Sequence, residues 1–374
     1  MRCDKIIKII EDWAPKSIAW EKDNVGLQVG SLQRNIKNIL LCLDVDENVV
    51  EEAIKKNCHL IISHHPLLFR SIKKLDIDND RKSLIIEKLI KYNITLYSAH
   101  TNLDFTKDGV SFQLAKKLKL TNQKFLINLS QNQIKLAVFV PLDYADKLAD
   151  AMHNAGAGVI GEYQNCSFRM MGTGTFLGSQ KSHPKIGVKG KIERVEEVKI
   201  EVLVNTFDLN KVIAEMKKIH PYEEVAYDVY PVSNENVNYG MGVIGELEKE
   251  LSEKEFLDFT ARALQIKNFR FSRGKKNKIK KVAVCGGSCS DLIDSAINKD
   301  ADAFITADIK YHSFQDAENK IFLIDAGHYE TEIALLDELK NRIIKSLTDK
   351  TKVFKYKGST NPVVFYNNQG ARKN

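Results

Sequence analysis

A chain of 374 residues is longer than one hydrophobic core usually supports, so two or three domains are expected. Hydrophobic residues at 43% and charged ones at 28% are the proportions of a folded, soluble protein, and no apolar run approaches the roughly 18–20 residues that span a bilayer. The net charge of +7, from 56 basic against 49 acidic residues, is modest; with no interleaving of aromatic and basic residues of the kind that grips single strands, nucleic acid is not an expected partner.

In chain order, MRCDKIIKIIEDW carries acids inside its apolar pattern and lacks a small-residue cleavage site, so it reads as an amphipathic helix and no export signal is expected. NILLCLD then reads as a strand, ENVVEEAIKKNC as a helix with Val49, Val50, Ala53 and Ile54 on its apolar side, and HLIISHHP as a strand. RKSLIIEKLIKY is a second helix and ITLYSAHTNLD a third strand, an α/β alternation. The rhythm then changes. IKLAVFV is a strand, Pro141 to Asn154 a helix, NCSFRMMGTGTF and VEEVKIEVLV strands, LNKVIAEMKKI a helix and VAYDVYPV a strand. That is the split βαβ order of a ferredoxin-like sandwich, with the polar segments LSQNQ and SNENVN as hinges.

Beyond it, Gly240, Gly242 and Gly245 in GMGVIG match the G-x-G-x-x-G spacing. A dinucleotide fingerprint follows a strand and opens a helix; here polar NENVNY precedes and the charged run from Glu246 to Glu250 follows, so a glycine-rich strand or bulge is expected. RGKKNKIKK, from Arg273 to Lys281, reads as a solvated loop, with contact to an anionic partner as the alternative. KKVAVCGGS, DLIDSAINKDA, DAFITADIKYH, FQDAENK and IFLIDAGHYETE then repeat the opening order. From Cys42 to His64 is 22 residues, as from Cys285 to Ala307. His100 precedes Asp104 by four, as His328 precedes Glu332. The expectation is two related α/β halves forming one core, 1–132 and 233–374, interrupted by a ferredoxin-like α+β insertion at 133–232. Six scattered cysteines form no disulfide framework, which fits a reducing cytoplasm. Cys285 and Cys289 are not C-x-x-C and read as buried or turn cysteines.

Three segments carry candidate chemistry. In IISHHPLLF, neighbouring residues of a strand point to opposite faces, so His64 and His65 share a site only where the strand has ended, and Pro66 marks such an end. The carboxyl edge of an open α/β sheet is where ligands bind, although a satisfied core histidine is the plainer account of either residue. AGHYETE sets His328 and Glu332 on one helical face, with Gly327 turning the backbone; a metal-ligand pair and a surface polar pair both fit that spacing. Asp104 is a further ligand candidate or a helix N-cap. Together the segments supply three histidines and two carboxylates, more than one four-coordinate ion needs. A pair of ions gives adjacent histidines one ion each.

SHHP, SAHTNLD and LIDAGHYETE, with DNVGLQVG, ITADIKYH and STNPVVFY, resemble the Nif-three-like family, also known as GTP cyclohydrolase I type 2 homologues. The likeness runs in order through both outer segments, and the middle one, with HPYEEVAYDVYP, is similar to the PII/CutA-like insertion of many bacterial members. The resemblance implies two divalent ions per subunit, zinc, iron or manganese, held by His64, His65, Asp104, His328 and Glu332, and a toroidal homohexamer. His100 is not a usual ligand of that family and is expected just behind the ligands, orienting one of them or the substrate, with help to proton transfer as its catalytic role. Cys289 departs from the family's glycine-serine turn after CGG; the ligands are expected to be untouched and the loop tightened or sensitised. The expected function is a metal-dependent hydrolase of a small nucleotide-like substrate, with GTP ring opening as the implied reaction. The alternative is a non-catalytic metal-binding or regulatory hexamer whose insertion senses a small ligand or partner.

Overall fold

The computed structural model describes residues 1–365, so Tyr366 of STNPVVFY lies outside the described residues. The described residues divide into two compact units, one of Met1–Ile127 with residues 239–365, the other Asn128–Asn238.

Two sheets build the first unit. In one, the parallel strands Thr95–Ser98, Leu60–Ser63 and Asn38–Cys42 lie side by side, flanked by Gly26–Val29 running antiparallel and Lys352–Lys355 running parallel. In the other, Phe322–Asp325, Ala303–Thr306 and Lys278–Val284 are parallel in the same spatial order, flanked by antiparallel Arg270–Ser272, then by Asn236–Ser252 and Thr121–Leu129. Each half thus repeats an antiparallel edge followed by its third, second and first parallel strands. These strands are buried on both faces, which is why they read as unbroken apolar runs. The edge strands and the returning Lys352–Lys355 were not expected from the sequence.

Helices cover the sheets for local reasons. Cys3–Trp13 buries Cys3, Ile6, Ile7 and Ile10, a one-sided i, i+3, i+4, i+7 stripe. Asp46 and Asp80 cap Glu47–Lys55 and Arg81–Lys91 by accepting from the N–H groups of Val49 and Ser83. The glycines of GMGVIG lie within Asn236–Ser252 as a strand. A side chain at Gly240 would strike the Ile127 carbonyl and the Phe125 ring, and Gly242 has φ +58°. The basic run is partly strand: Lys278–Lys281 opens Lys278–Val284, and Lys276 pairs with Asp302 at 2.6 Å.

The second unit is one antiparallel sheet of Phe168–Leu177, Ile192–Asn205, Gln133–Pro141 and Tyr227–Pro231, in that spatial order. With helices Ala145–Asn154 and Leu209–Ile219 this is the split βαβ arrangement. The unit runs from Asn128 to Asn238, a few residues beyond 133–232 at each end, and residues 130–132 and 232–235 are short loops between strands. Leu129 ends one strand, Gln133 begins the next and Asn236 opens a third. Asn236 donates to Asn132 and Asn205 at 3.3 and 3.1 Å, and its carbonyl accepts from Asn128 at 2.9 Å. Leu148 is fully buried among Val138, Ile200 and Met216. Leu148→Ala is expected to destabilise this unit by about 2–5 kcal/mol, read as a lower denaturant midpoint.

Candidate metal centre

The strand Leu60–Ser63 ends at the histidine pair, and the backbone stays pinned there: His64 and His65 donate their N–H groups to the carbonyls of Cys42 and Leu43 at 3.1 and 2.9 Å. Ser63 Oγ donates to the His65 carbonyl at 2.8 Å. The two rings diverge by 50° with centroids 4.9 Å apart, so adjacent residues reach one site. Thr95–Ser98, the neighbouring strand, leads into the short helix Thr101–Asp104. Asp104 ends that helix and is not its N-cap; its Oδ1 lies 3.5 Å from His64 Nε2. His100 sits just before the helix, its ring 5.2 and 5.3 Å from those of His64 and His65.

The second half contributes Gly327, at φ +88°, then the helix His328–Glu332. His328 Nε2 is 3.1 Å from Glu332 Oε1, so the pair is no surface pair: Glu332 is 3% exposed. Glu332 Oε2 lies 3.1 Å from His65 Nε2, and Oε1 3.8 Å from His64 Nε2. One nitrogen or oxygen from each of His65, His328 and Glu332 falls within 4.8 Å of the others, as do nitrogens of His64, His65 and His100. The six expected residues, drawn from both halves, therefore meet in one place.

Each imidazole is fixed through its other nitrogen. Nδ1 of His64 meets the Ala99 carbonyl at 2.9 Å; those of His65, His100 and His328 meet Asp44, Asp23 and Asp308 at 2.8, 2.9 and 2.6 Å. This is how proteins fix the tautomer of a histidine that offers its remaining nitrogen to a metal. Meanwhile His64 Nε2, His65 Nε2, Asp104 Oδ1 and Glu332 Oε2 are buried without an aligned hydrogen bond. Polar atoms buried in this way without an aligned partner are costly unless an ion completes them, so the side chains gathered here fit divalent metal. The three aspartates were not singled out in the sequence, although Asp23 and Asp308 lie in DNVGLQVG and ITADIKYH. Asp308→Asn is expected to weaken metal binding about 10–100-fold, measured by chelator competition.

The profile of the DUF34/NIF3 (NGG1p interacting factor 3) family matches residues 1–362. The chain belongs to the DUF34/NIF3 family. It is 40% identical over 365 residues to a Halalkalibacterium halodurans protein named GTP cyclohydrolase 1 type 2 homolog, covering 96% of this chain and 98% of that one. A Bacillus subtilis protein of the same name is 39% identical over 366 residues with the same coverage. The crystal structure of a Bacillus cereus protein related to NIF3 superposes with a TM-score of 0.85 at 37% identity, over 98% of this chain and 99% of that one.

Within this DUF34/NIF3 core the cluster is strongly polarised. Burial pushes the Glu332 carboxyl upward, yet the imidazoles of His64, His328 and His65 outweigh it and hold the group well below the ordinary range. Burial likewise raises the Asp104 carboxyl, against the pull of His64 and His100. The CGG turn packs on the cluster: a side chain at Gly287, whose φ is +72°, would press on Glu332 Oε1 at 2.5 Å and His328 Nε2 at 3.4 Å. Cys289 donates its thiol to the Gly286 carbonyl at 3.3 Å, bracing that turn. A cavity of about 620 Å³ opens on His65 and His328, walled by Phe269, Arg270, Tyr329 and Val363. Among the described residues no helix is long and apolar enough to cross a membrane.

Proposed function

We propose that the protein is a dinuclear metal-dependent hydrolase acting on a small nucleotide-like substrate, GTP ring opening being the reaction that its relatives' name suggests. The observation that carries this reading is the orientation of three imidazoles, His64, His65 and His328, each anchored through Nδ1, around the buried Glu332 carboxylate, with His100 beside the first two. His64 and Asp104 would hold one ion, His65 and His328 the other, and Glu332 would serve both. Ions in such a site supply Lewis acidity and acidify water. His100, held by Asp23, is positioned to pass a proton at Nε2. The cavity beside His65 and His328 is of a size for one small molecule, and Phe269 and Tyr329 offer it flat apolar walls.

Protein loaded with zinc, manganese or iron and incubated with GTP is expected to release formate and form a fluorescent pterin. No turnover above a His65→Ala control would remove the cyclohydrolase assignment. The separate second unit, which contains none of the six site residues, favours one other reading: a metal-binding regulatory hexamer. Protein that keeps its ions and has the light-scattering mass of a hexamer, yet turns over no nucleotide or pterin, would select it.

A further inference from the structure

The insertion sheet has a second face. Val198, Ile200, Val202 and Val204 pack against the two helices, so the residues that alternate with them, Glu197 and Lys199, face the other way. Register sets Gly172 opposite Glu197, and both Phe139 and Met170 opposite Lys199. Over this face lies a cavity of about 850 Å³, within the roughly 300–1,000 Å³ of small-ligand sites, with Phe139, Phe176, Tyr222, Gly172, Gly174 and Glu197 in its lining.

Its construction is specific. Glu197 is 8% exposed, unusual for a carboxylate on a sheet face. One oxygen, Oε1, accepts from the Tyr222 hydroxyl at 2.7 Å, while Oε2 accepts no hydrogen bond from any described residue. That second oxygen is left free to accept from a donor bound in the cavity. The carboxylate lies flat over Gly174, where any side chain would collide with it, and beside Gly172, where nothing stands within 4 Å of the missing Cβ. Bare backbone therefore forms a floor. The walls are aromatic, and their main chains are tied together: His220 donates from Nε2 to the Phe139 carbonyl at 2.8 Å and accepts at Nδ1 from the Tyr222 N–H at 3.1 Å. The Phe176 and Tyr222 rings lie 5.7 Å apart.

Charge narrows the ligand. The lining holds Glu197, Glu223 and Glu224 against Lys185 and Lys199, and Lys199 is spent on Glu201 at 2.7 Å. A phosphate chain is disfavoured there and N–H donors are favoured. A flat floor between aromatic walls suits a planar ring. A carboxylate accepts best from two parallel N–H groups.

We propose that this cavity binds a planar heterocycle by an N–C–N donor edge, the edge that guanine and pterin rings carry, with Glu197 as acceptor. Adenine would turn its N1 acceptor toward the carboxylate and is rejected. The site shares no residue with the metal centre and does not depend on that reading.

The test is calorimetric titration of the full, metal-loaded chain with guanosine, neopterin, adenosine and arginine amide. Guanosine and neopterin are expected to bind one per chain and adenosine at least tenfold more weakly. Glu197→Gln should weaken guanosine at least tenfold with metal content and circular dichroism unchanged. Equal binding of guanosine and adenosine, or no binding of either ring, overturns the proposal, and that comparison stands on the wild-type chain should the variant fail to fold. Tightest binding by arginine amide would assign the carboxylate to an open guanidinium and overturn the ring. Guanosine binding that survives Glu197→Gln but is lost on chelation would move it to the metal centre, ending this proposal and leaving the hydrolase reading intact.

Discussion

Glu332→Gln is expected to strip the protein of bound metal while leaving its fold in place. Glutamine keeps the shape of the side chain, which is 3% exposed and wedged between His65 and His328 at 3.1 Å from each. What it removes is the anion common to both halves. Taking one partner from a buried charged set costs about 3–5 kcal/mol, which at about 1.4 kcal/mol per decade is a loss of affinity on the order of 10²–10⁴-fold. The amide also turns a donor toward nitrogens that have to face a cation. Elemental analysis after desalting should find wild-type protein loaded and Glu332→Gln nearly empty. Glu330→Gln serves as the control, since Glu330 accepts from Asn361 and is no part of the cluster. Wild-type metal content in Glu332→Gln would refute a metal centre built on this carboxylate.

The sequence carried much of this centre because its chemistry sits at strand ends. A parallel strand buried on both faces is an unbroken apolar run, so the polar residue that follows marks the carboxyl edge, as Ser63-His64-His65 and Asp325 do. The repeat in the core showed for the same reason, with the 22-residue interval spanning strand, helix and strand in each half. Gly26–Val29, Arg270–Ser272 and Lys352–Lys355 were hidden because each is three or four residues long and defined by a distant partner; Lys352 pairs with Asn38. Asp23, Asp44 and Asp308 were hidden too. Asp23 lies 77 residues from the histidine it orients, and nothing local separates such a carboxylate from a solvated one. In the second unit the order of elements was legible from periodicity, whereas the cavity around Glu197 depends on the register of Gly172 against it, which no local pattern encodes.

Metal binding is expected to release protons, and its affinity to rise with pH until about pH 9–10. Burial lowers the His65 imidazole, but the Asp44 and Glu332 carboxylates beside it prevail and lift it to about 10; His328 is likewise lowered by burial and lifted by Glu332 and Asp308 to about 9. Without metal both rings are therefore cationic at neutral pH, and as ligands both must be neutral. Uptake at pH 7–8 should expel up to about two protons, each worth about tenfold in affinity per pH unit. Stability of the metal-free protein moves the opposite way. A pKa raised on folding adds stability that is whole below the unfolded value of about 6.5 and is lost as pH climbs through the folded value. Metal-free protein should accordingly lose melting temperature from about pH 6.5 to pH 10, while metal-loaded protein holds its own or gains over that window. Calorimetric scans in chelator and in zinc, with uptake measured in buffers of different ionisation enthalpy, test both signs. A metal-free melting temperature that rises with pH, or uptake without proton release, would mean that these imidazoles are not held cationic by Glu332 and its neighbours.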